Sequence, residues 1–509
     1  MASGPAKSPA APVGAGRGLV FITCAKLWFM VMGYVVQFAL PRALGSPAKF
    51  GIWVLVLAVI SPVNNVTVTA TIRDVSKFAS ESDGRAGAVT RAALKLQAMI
   101  GGGTALLFVL AAPAIAWFER DSSLVPDLRL AAGIVLAYSL YAVFVGAANG
   151  ARHFHKQAGL DMMFATLRTV LVVGAAMAFR TAFAAIGGFV TAAVIILFIA
   201  MAWVGFGEAP ARKFPLRTLA RYFGGVAAYL LIINLLMFVD GLLLKRLVAE
   251  HAAQLGAAHP AAIANAQEGF YGAVQAVARI PYQLILAVTF VIFPLVSKAT
   301  FEADAQKTRG YVQTTMRYSL LVAALFAVTL GARPDAILRL FYKPEYAVGA
   351  IALGPLLVGY VCFSLFGISG TIINGAGRTL APFIIGALTL ATSIATTWIA
   401  IAFALGTGRD PLLWAALATM ATMAVGLLLF GIYLRSSFGA FVSPLTWART
   451  ALAVLAALAV GHAWPTHGIL GGKIGTLFSS AAVGLAFIAV SIASGELRPK
   501  QLLALRKKA

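Results

Sequence analysis

Arg279 stands about ten residues into a long apolar run, roughly 15 Å along a helix and close to the middle of a bilayer's hydrocarbon. A charge at that depth is costly, and a side chain there is too far from either surface to snorkel. Gln275, Arg279 and either Tyr282 or Gln283 are spaced three or four apart, so they share one helical face. Pro281 beside them lacks an N–H and loosens the helix locally. Two chemistries fit. The guanidinium presents its planar fork to a phosphate or pyrophosphate, or it ties down carbonyls between helices.

Other polar groups fall inside apolar runs. Lys26 lies roughly 12 Å into the first run, on a face shared with Met30, Gly33 and Gln37. That stripe either lines a cavity opposite Arg279 or is a lysine snorkelling to the inner surface. Arg168, about 10 Å into the fifth run, is a secondary basic candidate with snorkelling as its leading explanation. Asp240 is the one carboxylate placed well inside a run. It suits a coupling proton or sodium, or else a structural partnership with Lys245 or Arg246. Asn65, with Ser61 and Thr69 four residues to either side, forms a further stripe suited to sugar hydroxyls or helix packing. The central-cavity set is thus Lys26, Gln37, Asn65, Gln275, Arg279 and Gln283.

Positioning these groups requires membrane helices. The 509 residues are 61% hydrophobic and only 11% charged, where soluble domains carry about 25% charge. Runs of roughly 20 apolar residues, long enough to cross a bilayer, fall near 19–40, 50–71, 92–118, 129–150, 161–180, 184–206, 222–244, 269–297, 318–333, 349–373, 382–405, 411–434, 449–465 and 473–494. That makes fourteen, with the ninth and thirteenth the shortest. The first run exceeds a signal-peptide core and contains Lys26, so it reads as a retained helix. Residues 1–18 read as a disordered lead-in, and 245–268 as the longest outer loop.

Basic residues set the orientation. With the N-terminus inside, the inner segments carry 25 Lys and Arg and the outer ones 12, which places both termini in the cytoplasm. The formal charge of +23 then reflects topology and contact with anionic lipids rather than nucleic acid. Two cysteines, Cys24 and Cys362, exclude a disulfide framework. Gly471-Gly472-Lys473 lacks the first glycine and the Ser/Thr of a P-loop, having His467 and Ile474 there. His153 and His155 sit in the basic inner loop after the fourth run, and His462 and His467 flank an outer helix end without a supporting carboxylate, so no metal or other cofactor is expected. No loop is long enough for a catalytic domain, which argues against a glycan polymerase or ligase.

A duplication is visible. Phe50-Gly51 opens a stretch ending in Val75-Ser76-Lys77, and Phe270 with Gly272 opens one ending in Val296-Ser297-Lys298. Asn149-Gly150 closes the fourth run and Asn374-Gly375 the tenth, 225 residues apart, and Phe50 and Phe270 are 220 apart. The expected architecture is an all-α polytopic protein with an N-lobe over 19–221, a C-lobe over 222–434, and a final helix pair with a basic tail over 435–509.

On the segments GSPAKFG (45–51), the eighth run FYGAVQAVARIPYQLILAVTFVIFPLVS, LRLFYKPEY (338–346) and the two Asn-Gly closures, the chain resembles the multidrug/oligosaccharidyl-lipid/polysaccharide exporter superfamily. Within it, the likeness is to Wzx-type polysaccharide-biosynthesis flippases and lipid II flippases. The resemblance implies two six-helix lobes around a central cavity, alternating access, and flipping of a lipid-linked glycan such as an undecaprenyl-diphosphate oligosaccharide. It further implies a bacterial inner membrane, H+ or Na+ as coupling ion, and polymerase or glycosyltransferase machinery as partners. A cation-coupled drug exporter is the alternative; the cationic cavity residues argue against it.

Overall fold

The computed structural model describes residues 15–81, 86–208, 213–286, 304–465 and 472–497. Among them there is helix and no strand. In chain order the helices are α1 (Ala15–Leu44), α2 (Pro47–Glu81), α3 (Ala86–Phe118), α4 (Leu124–Gly150), α5 (Phe154–Phe179), α6 (Ala182–Val204), α7 (Leu216–Leu236) and α8 (Val239–Gln254). There follow α9 (Pro260–Ala278), α10 (Ala305–Gly331), α11 (Pro334–Phe341), a 3-10 turn (Pro344–Gly349), α12 (Ala350–Gly375), α13 (Leu380–Gly406), α14 (Pro411–Phe438), α15 (Pro444–His462) and α16 (Lys473–Ala493). Thirteen segments among the described residues are long and apolar enough to cross a membrane. The second half of the eighth expected span, from residue 287, lies outside the described residues, as do residues 1–14 and the basic tail from 498.

Several boundaries differ from the hydropathy reading, because hydropathy marks the lipid-embedded stretch whereas caps mark the helix. The ninth span starts at Ala305 rather than 318: Asp304 caps it by accepting from the Lys307 N–H, and a polar first half precedes the apolar run. The thirteenth starts at Pro444, behind Ser443, whose hydroxyl accepts from the Thr446 N–H. Both are therefore long enough to span. Helix α1 begins at Ala15, so residues 15–18 of the expected lead-in are helical.

The expected outer loop 245–268 is also corrected. Helix α8 continues to Gln254 and α9 begins at Pro260, leaving a short link of residues 255–259. The sequence there is polar because the helices run past the apolar layer, not because the chain is irregular. The seventh span is broken instead, at Met237 and Phe238 between α7 and α8.

By internal packing the chain forms two compact units. The first comprises residues up to 36, 63–112 and 126–227; the second comprises 37–62, 113–125 and 228–509. In the first, Val75 and Ala79 of α2 pack with Val89 and Ala93 of α3 and Val143 of α4. In the second, Leu321 and Ala324 of α10 pack with Ala453 and Ala457 of α15 and Val483 and Phe487 of α16. The final helix pair thus belongs to the core of that unit. Where the duplicated aromatic-Gly stretches meet, within the second unit, Gly51 and Gly269 bring α2 and α9 into backbone contact. A Cβ on either would overlap the other helix's main chain.

Candidate functional site

In the first unit, α1, α5 and α6 assemble a cationic group. Lys26 Nζ lies 2.8 Å from Asp161 Oδ2, so this deep lysine is paired rather than merely reaching for a surface. Asp161 is a second intramembrane carboxylate, beyond the one expected at Asp240. Hydropathy starts the fifth run at residue 161, but the helix starts at Phe154, which places Asp161 two turns inside, buried. Two turns further along the same face is Arg168. Its guanidinium carbon stands 5.0 Å from the centroid of Phe29, 5.9 Å from Phe164 and 5.5 Å from Phe189. Cation–π contact is favourable and leaves the in-plane N–H groups unused. Among the described residues no acceptor takes a hydrogen bond from Arg168, and its Nε is buried without a partner. Phe29 is shared, lying 6.0 Å from Lys26 Nζ on its other contact. Thr169 anchors the arrangement, donating to the Met32 carbonyl at 3.2 Å.

In the second unit the polar residues close on themselves. Asp240, at the start of α8 and 2% exposed, accepts from Tyr271 Oη at 2.9 Å, Gln275 Nε2 at 2.9 Å and Thr419 Oγ1 at 3.0 Å. Gln275 accepts in turn from Arg279 Nη2 at 2.9 Å. Arg279 also donates to Tyr360 Oη at 2.7 Å and to the carbonyl of Met237. Its guanidinium carbon sits 4.8 Å from the Phe238 centroid and 5.6 Å from that of Tyr360. Met237 and Phe238 form the break between α7 and α8, where helical hydrogen bonding lapses. Arg279 therefore caps a carbonyl that the break exposes, and it is itself the C-cap of α9, which ends at Ala278 just before it and three residues before Pro281.

Other sequence candidates are spread out. Gln37, in the second unit, has a buried Oε1 without a hydrogen-bond partner. Gln283 is partly buried. Asn65 is exposed on α2, while its neighbour Asn64 is buried with an unpartnered Oδ1. Neither expected partner of Asp240 bonds to it. Lys245 is fully buried, donates to the Glu119 carbonyl at 2.5 Å and lies 3.6 Å from Asp121 Oδ2. Arg246 pairs with Glu250 at 3.5 Å and donates to the Phe118 carbonyl at 2.6 Å.

The link between α3 and α4 is a charged plug that hydropathy did not mark. Asp121 accepts from Ser123 Oγ at 2.6 Å and Asn265 Nδ2 at 2.8 Å. Burial pulls its acidity one way, but these bonds and Lys245 hold it below the usual carboxylate range. Glu119, 1% exposed, goes the other way: burial pushes it up to about 8 despite Lys245 and Arg246. No group of three His, Cys, Asp or Glu suited to a metal ion occurs among the described residues.

Comparison with known proteins places this architecture. The structure is similar to a lipid II flippase MurJ in its inward closed conformation, with TM-score 0.74 and 12% identity over 93% of this chain and 98% of that one. It is similar to an outward-facing multidrug resistance MATE family transporter of the MOP superfamily, with TM-score 0.59 and 14% identity over 83% and 96%. A MOP superfamily transporter from Pyrococcus furiosus gives TM-score 0.54 and 14% identity over 83% and 96%. At such identities the likeness is one of fold. A search of curated protein sequences returned no significant match. The sequence model of the family described as Polysaccharide biosynthesis protein matches residues 40–348, more than half of the chain. The chain belongs to that family, and it carries the all-helical membrane fold of the MOP exporter superfamily.

Proposed function

We propose that this protein flips a lipid-linked, diphosphate-bearing oligosaccharide across a bacterial inner membrane by alternating access, with both termini in the cytoplasm. The observation that carries this reading is Arg168. An intramembrane guanidinium whose hydrogen-bond donors meet no acceptor among the described residues is costly to keep. A phosphate group offsets that cost by charge-assisted, bidentate bonding. Lys26 and Asp161 cancel one another, so this group of three keeps a net positive charge for an anion. That charge disfavours cationic drugs. Family membership supplies the glycan context, and the Asp240 network is our candidate for H+ or Na+ coupling.

The test is flipping of a fluorescent prenyl-diphosphate sugar in proteoliposomes. Arg168→Ala should lower headgroup binding about ten- to a hundredfold for each charge-assisted bond lost. Arg168→Lys keeps the charge without the fork and should recover only part of the activity. Normal flipping by Arg168→Ala, or faster export of a cationic dye than of the glycolipid, would overturn the proposal.

A further inference from the structure

A second cationic site lies in the second unit, away from the groups around Asp240. The last turn of α1, the flanks of α11 and the first residue of α16 surround a cavity of about 540 Å³. Its lining includes Arg42, Arg333, Arg339, Lys343 and Lys473, with Asp335 as the one carboxylate. That volume falls within the range of small-ligand pockets. None of the five cations forms an ion pair with a described residue. Arg42 spends one donor on the Phe38 carbonyl at 3.4 Å, and Arg333 Nη1 is buried with no hydrogen-bond partner.

Five like charges from three backbone stretches, with Arg42, Arg339 and Lys473 open to solvent and Arg333 and Lys343 partly buried, repel one another, and one carboxylate does not balance them. Such convergence persists most cheaply if a multiply charged anion occupies the space. Three arginines favour a tetrahedral oxyanion with several acceptor edges over a single carboxylate. The pocket gathers where α1 ends, α10 ends and α16 begins, the end that the loop-charge rule assigns to the outside. We infer that this cavity is a binding site for phosphate and diphosphate groups, at the lipid-headgroup level of the outer face. It does not depend on what the Arg168 group carries, although a diphosphate headgroup delivered outward has the chemistry it would accept.

The experiment starts from Arg168→Gln protein, so that binding at Arg168 contributes nothing. Inorganic pyrophosphate is titrated calorimetrically in detergent. Adding Arg333→Gln and Arg339→Gln should weaken binding at least tenfold. Adding Asp335→Asn instead removes the opposing charge and should tighten binding several-fold, a gain that misfolding does not produce. Native mass spectrometry after extraction from phosphatidylglycerol or phosphatidylcholine nanodiscs separates the sources. Retained phosphatidylglycerol that pyrophosphate displaces identifies a phospholipid headgroup. Pyrophosphate binding that phosphatidylglycerol does not compete with identifies a free or glycolipid diphosphate. Either supports the site. Equal pyrophosphate binding and equal lipid retention in parent and pocket variants would overturn it, leaving the flipping result with Arg168 untouched.

Discussion

Arg168 in the first unit and Arg279 in the second each lie deep within a long apolar run, and the two have opposite surroundings. Arg279 donates to Tyr360, Gln275 and the Met237 carbonyl, and Gln275 links it to Asp240, so its charge is met by protein groups. Arg168 rests on phenylalanine rings and, among the described residues, gives its donors to nothing. Sequence position singles out Arg279 as the deepest cation. Depth, however, measures only the cost of the charge. Whether protein or ligand meets that cost depends on neighbours brought in from other helices. A guanidinium held by protein acceptors suits the holding of a broken helix; one without them suits an anion that comes and goes.

The sharpest way to break this contrast is to remove each arginine and measure folding. Arg279→Ala deletes three hydrogen bonds, each about 0.6 and up to about 1.7 kcal/mol in membrane helices. It also leaves Asp240 without the cation that Gln275 links to it, for a total of order 3 kcal/mol. The detergent-solubilised variant should melt several degrees lower. Arg168→Ala removes no protein hydrogen bond and should melt at or slightly above the parent. Equal destabilisation by both would erase the distinction.

How much of this was legible follows from the kind of signal each feature leaves. Apolar runs near 20 residues follow from bilayer thickness, so the spans could be read directly. The Gln275–Arg279 contact was legible because helical spacing of four places side chains together. The break at Met237–Phe238 was not, since neither proline nor glycine marks it; its evidence is the carbonyl that Arg279 caps. Asp161 was missed because hydropathy placed the helix start seven residues late. Lys245 falls at the start of the expected outer loop, although Asp121, supplied from a distant link, lets it be fully buried. Pairings across 120 residues or more leave no periodic trace in one sequence.

Asp240 sharpens the comparison at an intermediate size. In Asp240→Asn the amide oxygen can still accept from Tyr271, Gln275 and Thr419, and the Gly241 N–H bond to Oδ1 at 3.0 Å is the one lost. The cost should be about 1 kcal/mol, small enough for the variant to fold. If this carboxylate is the coupling group, flipping driven by a proton or sodium gradient should cease while glycolipid binding persists. Gradient-driven flipping at the parent rate would assign Asp240 to holding α8, α9 and α14 together.

At the plug the effect depends on pH, and its sign is set by Glu119. Its carboxyl is raised from 4.5 to about 8 by burial, so the folded chain keeps a proton that the unfolded chain gives up in that interval. This stabilisation is full below pH 4.5 and is lost as pH rises towards 8, at no more than about 1.4 kcal/mol per pH unit. Asp121, held low, contributes oppositely, and its share disappears only in acid below the ordinary carboxylate range. Glu119→Gln is neutral at every pH and keeps the shape of the protonated acid. Melting curves from pH 5 to 8 should therefore coincide at pH 5 and diverge above it, with the variant the more stable. Parallel curves would mean that Glu119 is ionised beside Lys245 and Arg246, making the plug a fully charged cluster rather than one acid held neutral beside an ion pair.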